Sequence, residues 1–336
     1  MGVAIIPLSN RASSASPADV FACPIDTTSL QSLDGKTLVC AHGHSFDRAR
    51  DGHVNLLVVQ HKASRDPGDS KAMVAARRRF LDAGHFAPIA QHSARIVGRL
   101  ECFRDKCAAV FHKEARQNKQ LGSFHDSIVT GTTLAAGPSC GARPMILDAG
   151  CGEGYYLSMI AKALDGASAG HPRLAGIDIS KWAIHAASKR HPGCAFAVAT
   201  NRHLPFAPGS VDLIMSMFGF PIWESFAAVQ SPSGFVLTVD PGPDHLLELR
   251  SIIYPSVNRS PPPSLEAAVG ARYRLEDETR LEFPFELTSA EQIADLLTMT
   301  PHNHRAPLSG RLALARLDRL SLTGDVVVRL LRRHAA

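Results

Sequence analysis

The chain has 336 residues, of which 45% are apolar and 20% charged, and carries a net charge of +5. That composition suits a globular chain of one large or two modest domains. No apolar run approaches the roughly 20 residues of a membrane-spanning helix, and the start has no apolar core long enough for a secretory signal, so no membrane partner is expected.

Residues 1–20 are rich in Ala, Ser and Pro, with one Arg and no acid before Asp19. They read as a disordered extension. A cytoplasmic location is then expected, with an organelle as the alternative if the extension is a transit peptide. The seven cysteines follow no regular spacing, which argues against a disulfide framework.

Residues 21–58 hold two knuckle-like turns, each with metal-ligating residue types three or four positions apart. Cys23, Asp26, Cys40 and His44 would supply two thiolates, a carboxylate and an imidazole, a donor set that zinc accepts. One zinc pins a segment too small for its own core. His42 could substitute if Asp26 does not reach, and two buried cysteines beside a turn are the alternative without metal.

Residues 59–113 read as a basic helical linker. Lys62, Arg65, Lys71, Arg77, Arg78 and Arg79 outnumber Asp66 and Asp69 there, and the C-terminal stretch from Arg305 to Ala336 carries seven Arg against Asp318 and Asp325. Such clusters suit a phosphate backbone or a solvated helix face. After the Pro67-Gly68 turn, Asp69 or Ser70 caps a helix whose apolar face is Met73, Ala76, Phe80 and Leu81. A second helix runs from about Ile89 to Phe111. Between them, Phe86 lies over a cofactor or packs in the core. Residues 114–144 lack a clear period and read as a flexible insertion.

Residues 145–336 follow an α/β pattern of strands alternating with helices, a Rossmann-like doubly wound sheet. Strand 145–148 runs into Asp148-Ala149-Gly150-Cys151-Gly152-Glu153-Gly154, and a helix starts at about Tyr156. The glycines permit strained turn angles and close backbone approach to a ligand, and the helix offers its positive end. A second strand, 174–179, brings Asp178, thirty positions after Asp148, to its end beside Ile179, where a carboxylate can accept both ribose hydroxyls of a nucleotide. Further strands are expected at 195–199, 211–216 and 235–239, helices at 181–190 and 290–297, and two more strands within 281–333. The loop 200–206, with Asn201, lies where an adenine edge would sit. The turn after Asp240 brings His245 to the carboxyl-end rim, where ligands bind. The D-x-G-x-G-x-G loop resembles the S-adenosylmethionine (SAM) loop of class I methyltransferases.

Further phrases narrow the resemblance: 46–47 with 52–57, 59–62 with 64–70, 78–86, 147–156, 178–181, 204–206 and 241–254. Together they resemble the bacterial large-subunit (23S) rRNA guanine-N1 methyltransferases, a group that includes a macrolide-resistance relative. The resemblance covers most of the chain from Phe21 to about Pro301. It implies a small N-terminal zinc-ribbon-like module that grips an rRNA hairpin, a SAM-dependent catalytic domain, and a homodimer. It also implies zinc ligands at Cys23, Asp26, Cys40 and His44, and cofactor contacts at Phe86, Gly152, Glu153, Asp178 and His245. The family has Cys where Asp26 stands and Tyr where Phe86 stands. Its Arg-x-Tyr-Ala-Pro phrase is here Ser216-Met217-Phe218-Gly219-Phe220-Pro221, in the loop expected to face the methyl acceptor.

For a target guanine, the enzyme must accept an unstacked base, stack it and ease away the N1 proton. Phe218, Phe220 and Trp223 are candidate stacking residues, and Glu153, Asp240 and His245 candidate proton acceptors. A methyltransferase on another RNA or a small molecule, and a non-catalytic RNA-binding or ribosome-assembly factor that keeps the fold, are the alternative readings.

Overall fold

A computed structural model describes residues 17–58, 66–100, 143–164 and 172–334. Most of the expected extension and insertion, and the basic stretch 59–65, lie outside the described residues.

The N-terminal module is a small antiparallel sheet of β1 (Gln31–Ser32), β2 (Thr37–Val39) and β3 (Ser45–Asp47). The main sheet has eight strands: β4 (Val54–Asn55), β5 (Met145–Ala149), β6 (Arg173–Asp178), β7 (Ala195–Val198), β8 (Val211–Met217), β9 (Gln230–Pro241), β10 (Tyr273–Leu287) and β11 (Leu320–Arg333). They lie in the order β10-β11-β9-β8-β5-β6-β7-β4. Neighbours from β9 to β4 pair in parallel, whereas β11 runs antiparallel between β9 and β10. β5, β7 and β8 are buried at every position, as expected for parallel strands covered on both faces. The chain order reverses at β5, which lies between β6 and β8. The glycine loop therefore opens at a topological switch point, where such sheets bind ligands.

The expected elements are present with boundaries shifted by a residue or two, except at three places. The fifth catalytic strand starts five residues early, at Gln230, directly after the helix Trp223–Val229. The penultimate strand starts at Tyr273 and pairs with β11 along its whole length, so pairing rather than apolar periodicity sets its extent. The second linker helix is Ala87–Arg99, and residues 101–111 lie outside the described residues. Ser70 caps the first linker helix, Lys71–Asp82, by accepting the Met73 N–H.

Two apolar layers flank the sheet. On one face, the linker helices and the helices Tyr155–Leu164 and Leu247–Ile253 pack with Ile146, Leu213, Met215, Leu237 and Val239. On the other, Phe21, Cys23, Leu38 and Cys40 share a core with Leu147, Ile177, Ile214, Trp223 and Phe226. The N-terminal module is thus fused to the catalytic sheet. Phe21 packs on Phe206 with ring centroids 5.4 Å apart, Ala22 N–H donates to Pro205 O at 2.8 Å, and β4 adds to the sheet edge beside β7.

Because Phe21 is 2% exposed within that shared layer, Phe21→Ala should cost the whole chain about 3–5 kcal/mol, as for other buried Phe truncations. Urea denaturation followed by catalytic-domain fluorescence checks this. A catalytic domain that unfolds at the wild-type midpoint would show that the two parts are not one cooperative unit.

Candidate cofactor site and metal cluster

The loop after β5 is held by its neighbour strand. Gly150 and Cys151 both donate N–H bonds of 2.9 Å to Ile177 O. Asp178 accepts the Gly152 N–H at Oδ2 (2.9 Å) and the Ser180 N–H at Oδ1 (2.8 Å). A carboxylate has about four lone-pair positions, so two remain for a ribose. Gly150, Gly152 and Gly154 all take positive φ, at 95°, 54° and 79°. A Cβ at Gly150 would meet no atom within 4 Å, and one at Gly152 only Arg77 Nη1 at 3.7 Å, so the first two leave room above the loop. Gly154 serves packing instead, with His191 and Phe196 at 3.0 and 3.2 Å from where its Cβ would stand.

Asp148 is fully buried, and neither carboxylate oxygen has a hydrogen-bond partner. Burial, with the nearby Asp178 charge added, pushes its pKa up to about 8. Burial also raises Asp178. The loop is therefore a place where burial raises two acids, with Arg77 only partly offsetting it at Asp178. SAM carries a sulfonium and an ammonium group against one carboxylate, so its net positive charge complements this site, and the open space over Gly150 and Gly152 fits its approach. Asn201 Nδ2 donates to Ala149 O at 3.4 Å from the far side of the rim, and Ile179 lies against Gly68 of the linker.

Glu153 is placed differently from the other loop residues. It is 1% exposed and accepts Arg190 Nη1 at 2.9 Å, while Arg190 Nη2 binds Asp82 at 2.7 Å. These bonds clamp the linker helix to the helix Lys181–Arg190. Glu153 Oε2 has no partner.

An aromatic wall stands on the same side of the sheet. Phe86 lies parallel to Phe218 with centroids 5.7 Å apart, and both rings touch His245, at 5.7 and 5.6 Å. Phe283 and Phe285 meet Phe86 edge-on at 6.2 and 5.8 Å. Both readings of Phe86 meet here, since it is core-packed at 4% exposure and also part of the wall. His245 Nδ1 accepts the Asp325 N–H at 3.3 Å, which leaves the neutral ring's proton on Nε2, and burial lowers its pKa to about 4. A histidine so fixed donates at Nε2 and has no free nitrogen to take a proton.

The loop after β8 holds the sharpest backbone feature of the rim. Phe218 has φ 55°, a conformation costly for an aromatic residue, and its N–H donates to Val239 O at 2.8 Å. A Cβ at Gly219 would come within 2.8 Å of Ser216 Oγ. The turn buries the Phe218 ring against Phe86 and throws Phe220 outward, 86% exposed. Trp223, by contrast, is 6% exposed and packed against Tyr273 and Phe226, so it offers no stacking face. Asp240 is next to Val239 on the rim, with Arg329 Nη1 at 3.9 Å, and burial raises its pKa.

At the N-terminal module, the four expected ligands converge. Cys23 Sγ and Cys40 Sγ stand 3.5 and 3.3 Å from His44 Nδ1, and Asp26 Oδ2 is 3.3 Å from Cys40 Sγ and 3.0 Å from His44 Nδ1. A tetrahedron on ordinary zinc bonds has edges of about 3.3–3.8 Å, close to the separations found here, so the residues fit that metal. His42 does not replace Asp26. Its Nδ1 is 2.9 Å from Asp26 Oδ2, so it orients the carboxylate as an outer partner.

Among the described residues, the three consecutive linker arginines are paired within the chain. Arg77 pairs with Asp69 and donates to Met299 O, Arg78 lies 3.7 Å from Asp82, and Arg79 makes a two-bonded pair with Asp295 at 2.7 and 2.6 Å. In the C-terminal stretch, Arg311 binds Asn303 O and Ala306 O, Arg319 pairs with Glu286, and Arg329 with Glu278. Lys62 and Arg65 lie outside the described residues. Arg77 was missed as a loop neighbour, since its spacing alone placed it on a solvated face.

The strand order, switch-point loop and acid pair define a class I SAM-dependent methyltransferase. Residues 146–233 match a family described as a methyltransferase domain, and residues 21–65 one described as RlmA, N-terminal. A putative 23S rRNA (guanine-N(1)-)-methyltransferase of Micromonospora griseorubida is 31% identical over 235 residues, covering 68% of this chain and 67% of the relative. The 23S rRNA (guanine(748)-N(1))-methyltransferase of Streptomyces fradiae is 31% identical over 228 residues, 68% of this chain and 65% of that one. The chain belongs to this family of 23S rRNA guanine-N1 methyltransferases, and its match spans about two thirds of each relative's length. Among solved structures, the YcgJ protein from Bacillus subtilis aligns with a TM-score of 0.37 and 17% identity, over 58% of this chain and 94% of that one.

Two predictions follow from the geometry. In the cofactor-free protein, folded Asp148 holds a proton up to about pH 8, whereas the unfolded residue releases it near pH 3.8. Stability should therefore fall as pH rises between those values, by at most about 1.4 kcal/mol per unit. Asp148→Asn should flatten that slope in denaturant titrations from pH 5 to 8, and an unchanged slope would contradict the assignment. For the metal, Asp26→Cys should tighten zinc at least about tenfold, because a soft thiolate replaces a carboxylate. Chelator competition measures it, and equal affinity refutes it.

Proposed function

We propose that this enzyme transfers a methyl group from SAM to N1 of a guanine in a large-subunit rRNA hairpin. The observation that carries the reading is the exposed Phe220 at the tip of the strained 216–221 loop, beside a cationic-cofactor site, in a chain whose relatives are named for that reaction. An unstacked base needs an aromatic face to replace its lost neighbours. Phe220 offers one, while Phe218 and Phe86 form the wall behind it.

In this reading Asp148, Gly150, Gly152, Gly154, Asp178, Ile179 and Asn201 hold the cofactor, with Phe86 and His245 closing the pocket. SAM supplies the electrophilic methyl group when bound. The chain's own residues orient the base and accept its N1 proton. Glu153 is 1% exposed, with Oε1 held by Arg190 in the clamp between two helices, and His245 has no free acceptor nitrogen. Asp240 is then the acceptor of choice among the three, because burial raises its pKa and so makes it a stronger base than an exposed carboxylate. Zinc held by Cys23, Asp26, Cys40 and His44 stiffens the module that meets the RNA.

The test is methyl transfer from labelled SAM to unmodified large-subunit rRNA fragments, with the modified nucleotide mapped. Methylation of a guanine N1 in a hairpin is expected. Label found only in other RNA or in a small molecule would overturn the substrate assignment. Phe220→Ala should lower kcat/KM for RNA about 5–150-fold while SAM affinity holds, in line with the worth of one stacked base. Asp178→Ala should instead weaken SAM binding at least about tenfold by calorimetry. Loss of SAM affinity in the Phe220 variant would place that ring in the cofactor pocket rather than on the base.

A further inference from the structure

A second group of ligating side chains lies between the N-terminal module and the catalytic sheet, away from the cysteines. The turn that follows β3 carries Asp51 and His53, and the helix Lys181–Arg190 presents His185 to them. His53 Nδ1 stands 2.9 Å from Asp51 Oδ1, and His185 Nδ1 stands 2.7 Å from Asp51 Oδ2. One donor atom from each residue can be chosen so that all three lie within 4.8 Å of one another. The two imidazole rings meet edge-on, with centroids 6.2 Å apart.

Despite these short separations, Asp51 Oδ2 and His53 Nδ1 are shielded from water, and neither makes a hydrogen bond of ordinary geometry. A hydrogen bond needs the N–H aimed along an acceptor lone pair. Donor atoms that crowd together without that alignment, and without water, are costly unless something positive sits among them. Two imidazole nitrogens and one carboxylate form a set that zinc, cobalt(II) and nickel(II) accept, leaving positions for water.

We propose that Asp51, His53 and His185 form a divalent transition-metal site that staples the N-terminal module to the catalytic sheet. The place is where such a link does most. His53 immediately precedes β4, which joins β7 through only two residue pairs, Val54 with Ala197 and Asn55 with Val198. So short a pairing is weak alone. A metal bridging the turn to the helix Lys181–Arg190 fixes the register of β4 and, through it, the position of the module over the rim.

The test uses the full chain, stripped of metal and titrated with zinc chloride against a competing chelator. Wild type is expected to take up one equivalent more than His185→Ala. His185 has a side chain 46% exposed, so its removal leaves the packing intact. Asp51→Asn is the second variant, expected to weaken that uptake step at least tenfold. With cobalt(II) in place of zinc, the thiolate-to-metal absorption of the cysteine cluster should be unchanged by either variant. Equal uptake by wild type and both variants overturns the proposal. So does an uptake loss that carries the thiolate absorption with it, because the missing metal would then be the cysteine cluster's.

Discussion

The carboxylate of Asp178 ties the Gly152 N–H and the Ser180 N–H to the end of β6, and Asp148 sits fully buried behind it with no partner. These two acids bind the molecule together in two senses. Mechanically, Asp178 fixes the glycine loop at the one point where the strand order reverses, while Asp148 lies at the end of the strand that feeds it. Electrically, they form a buried acid pair whose pKa values are raised, so that they ionise more readily when positive charge arrives. Arg77 lies beside the loop and acts on Asp178, but Asp69 pairs with it. A cofactor of net positive charge complements this pair.

The same economy of charge explains the linker. A run of three arginines looks available for phosphate, but each finds a carboxylate within the chain, and Arg79 with Asp295 joins the linker helix to the helix Ala290–Met299. The described part of the linker, residues 66–100, is thereby a structural strap on the sheet's face. Gly68 makes this possible by close approach. A Cβ there would stand 2.9 Å from Ile179 and Ser180 at the end of β6, and Ser180 Oγ donates to Asp69 O at 2.6 Å.

The N-terminal module is equally committed to the sheet. Its cysteines face a layer that also holds Leu147, Ile177 and Phe226. A metal in the Cys23, Asp26, Cys40 and His44 cluster would therefore stiffen a surface continuous with the catalytic rim. The loop from Ser216 to Pro221 supplies the other side of that rim. Its strained Phe218 divides the two phenylalanines by role, one ring buried against Phe86 and the other in solvent.

Sequence alone marked the glycine loop, Asp178 and the cluster of Cys23, Asp26, Cys40 and His44 as candidates, because each depends on residue types at short spacing, and the structure brings the four cluster residues together. Glycines at alternate positions, an acid at a strand end and knuckles three or four residues wide are local rules. It also placed most strands of the sheet, since runs buried on both faces leave a continuous apolar signature. Only the tertiary structure decided the rest. That Glu153 binds Arg190, that Trp223 is core while Phe220 is free, that Arg77 to Arg79 are spent on Asp69, Asp82 and Asp295, and that His185 meets Asp51 and His53 are contacts between distant segments. Periodicity records which face a side chain takes on its own element, but not what the facing element offers it, and charge and proton roles are set by that second surface.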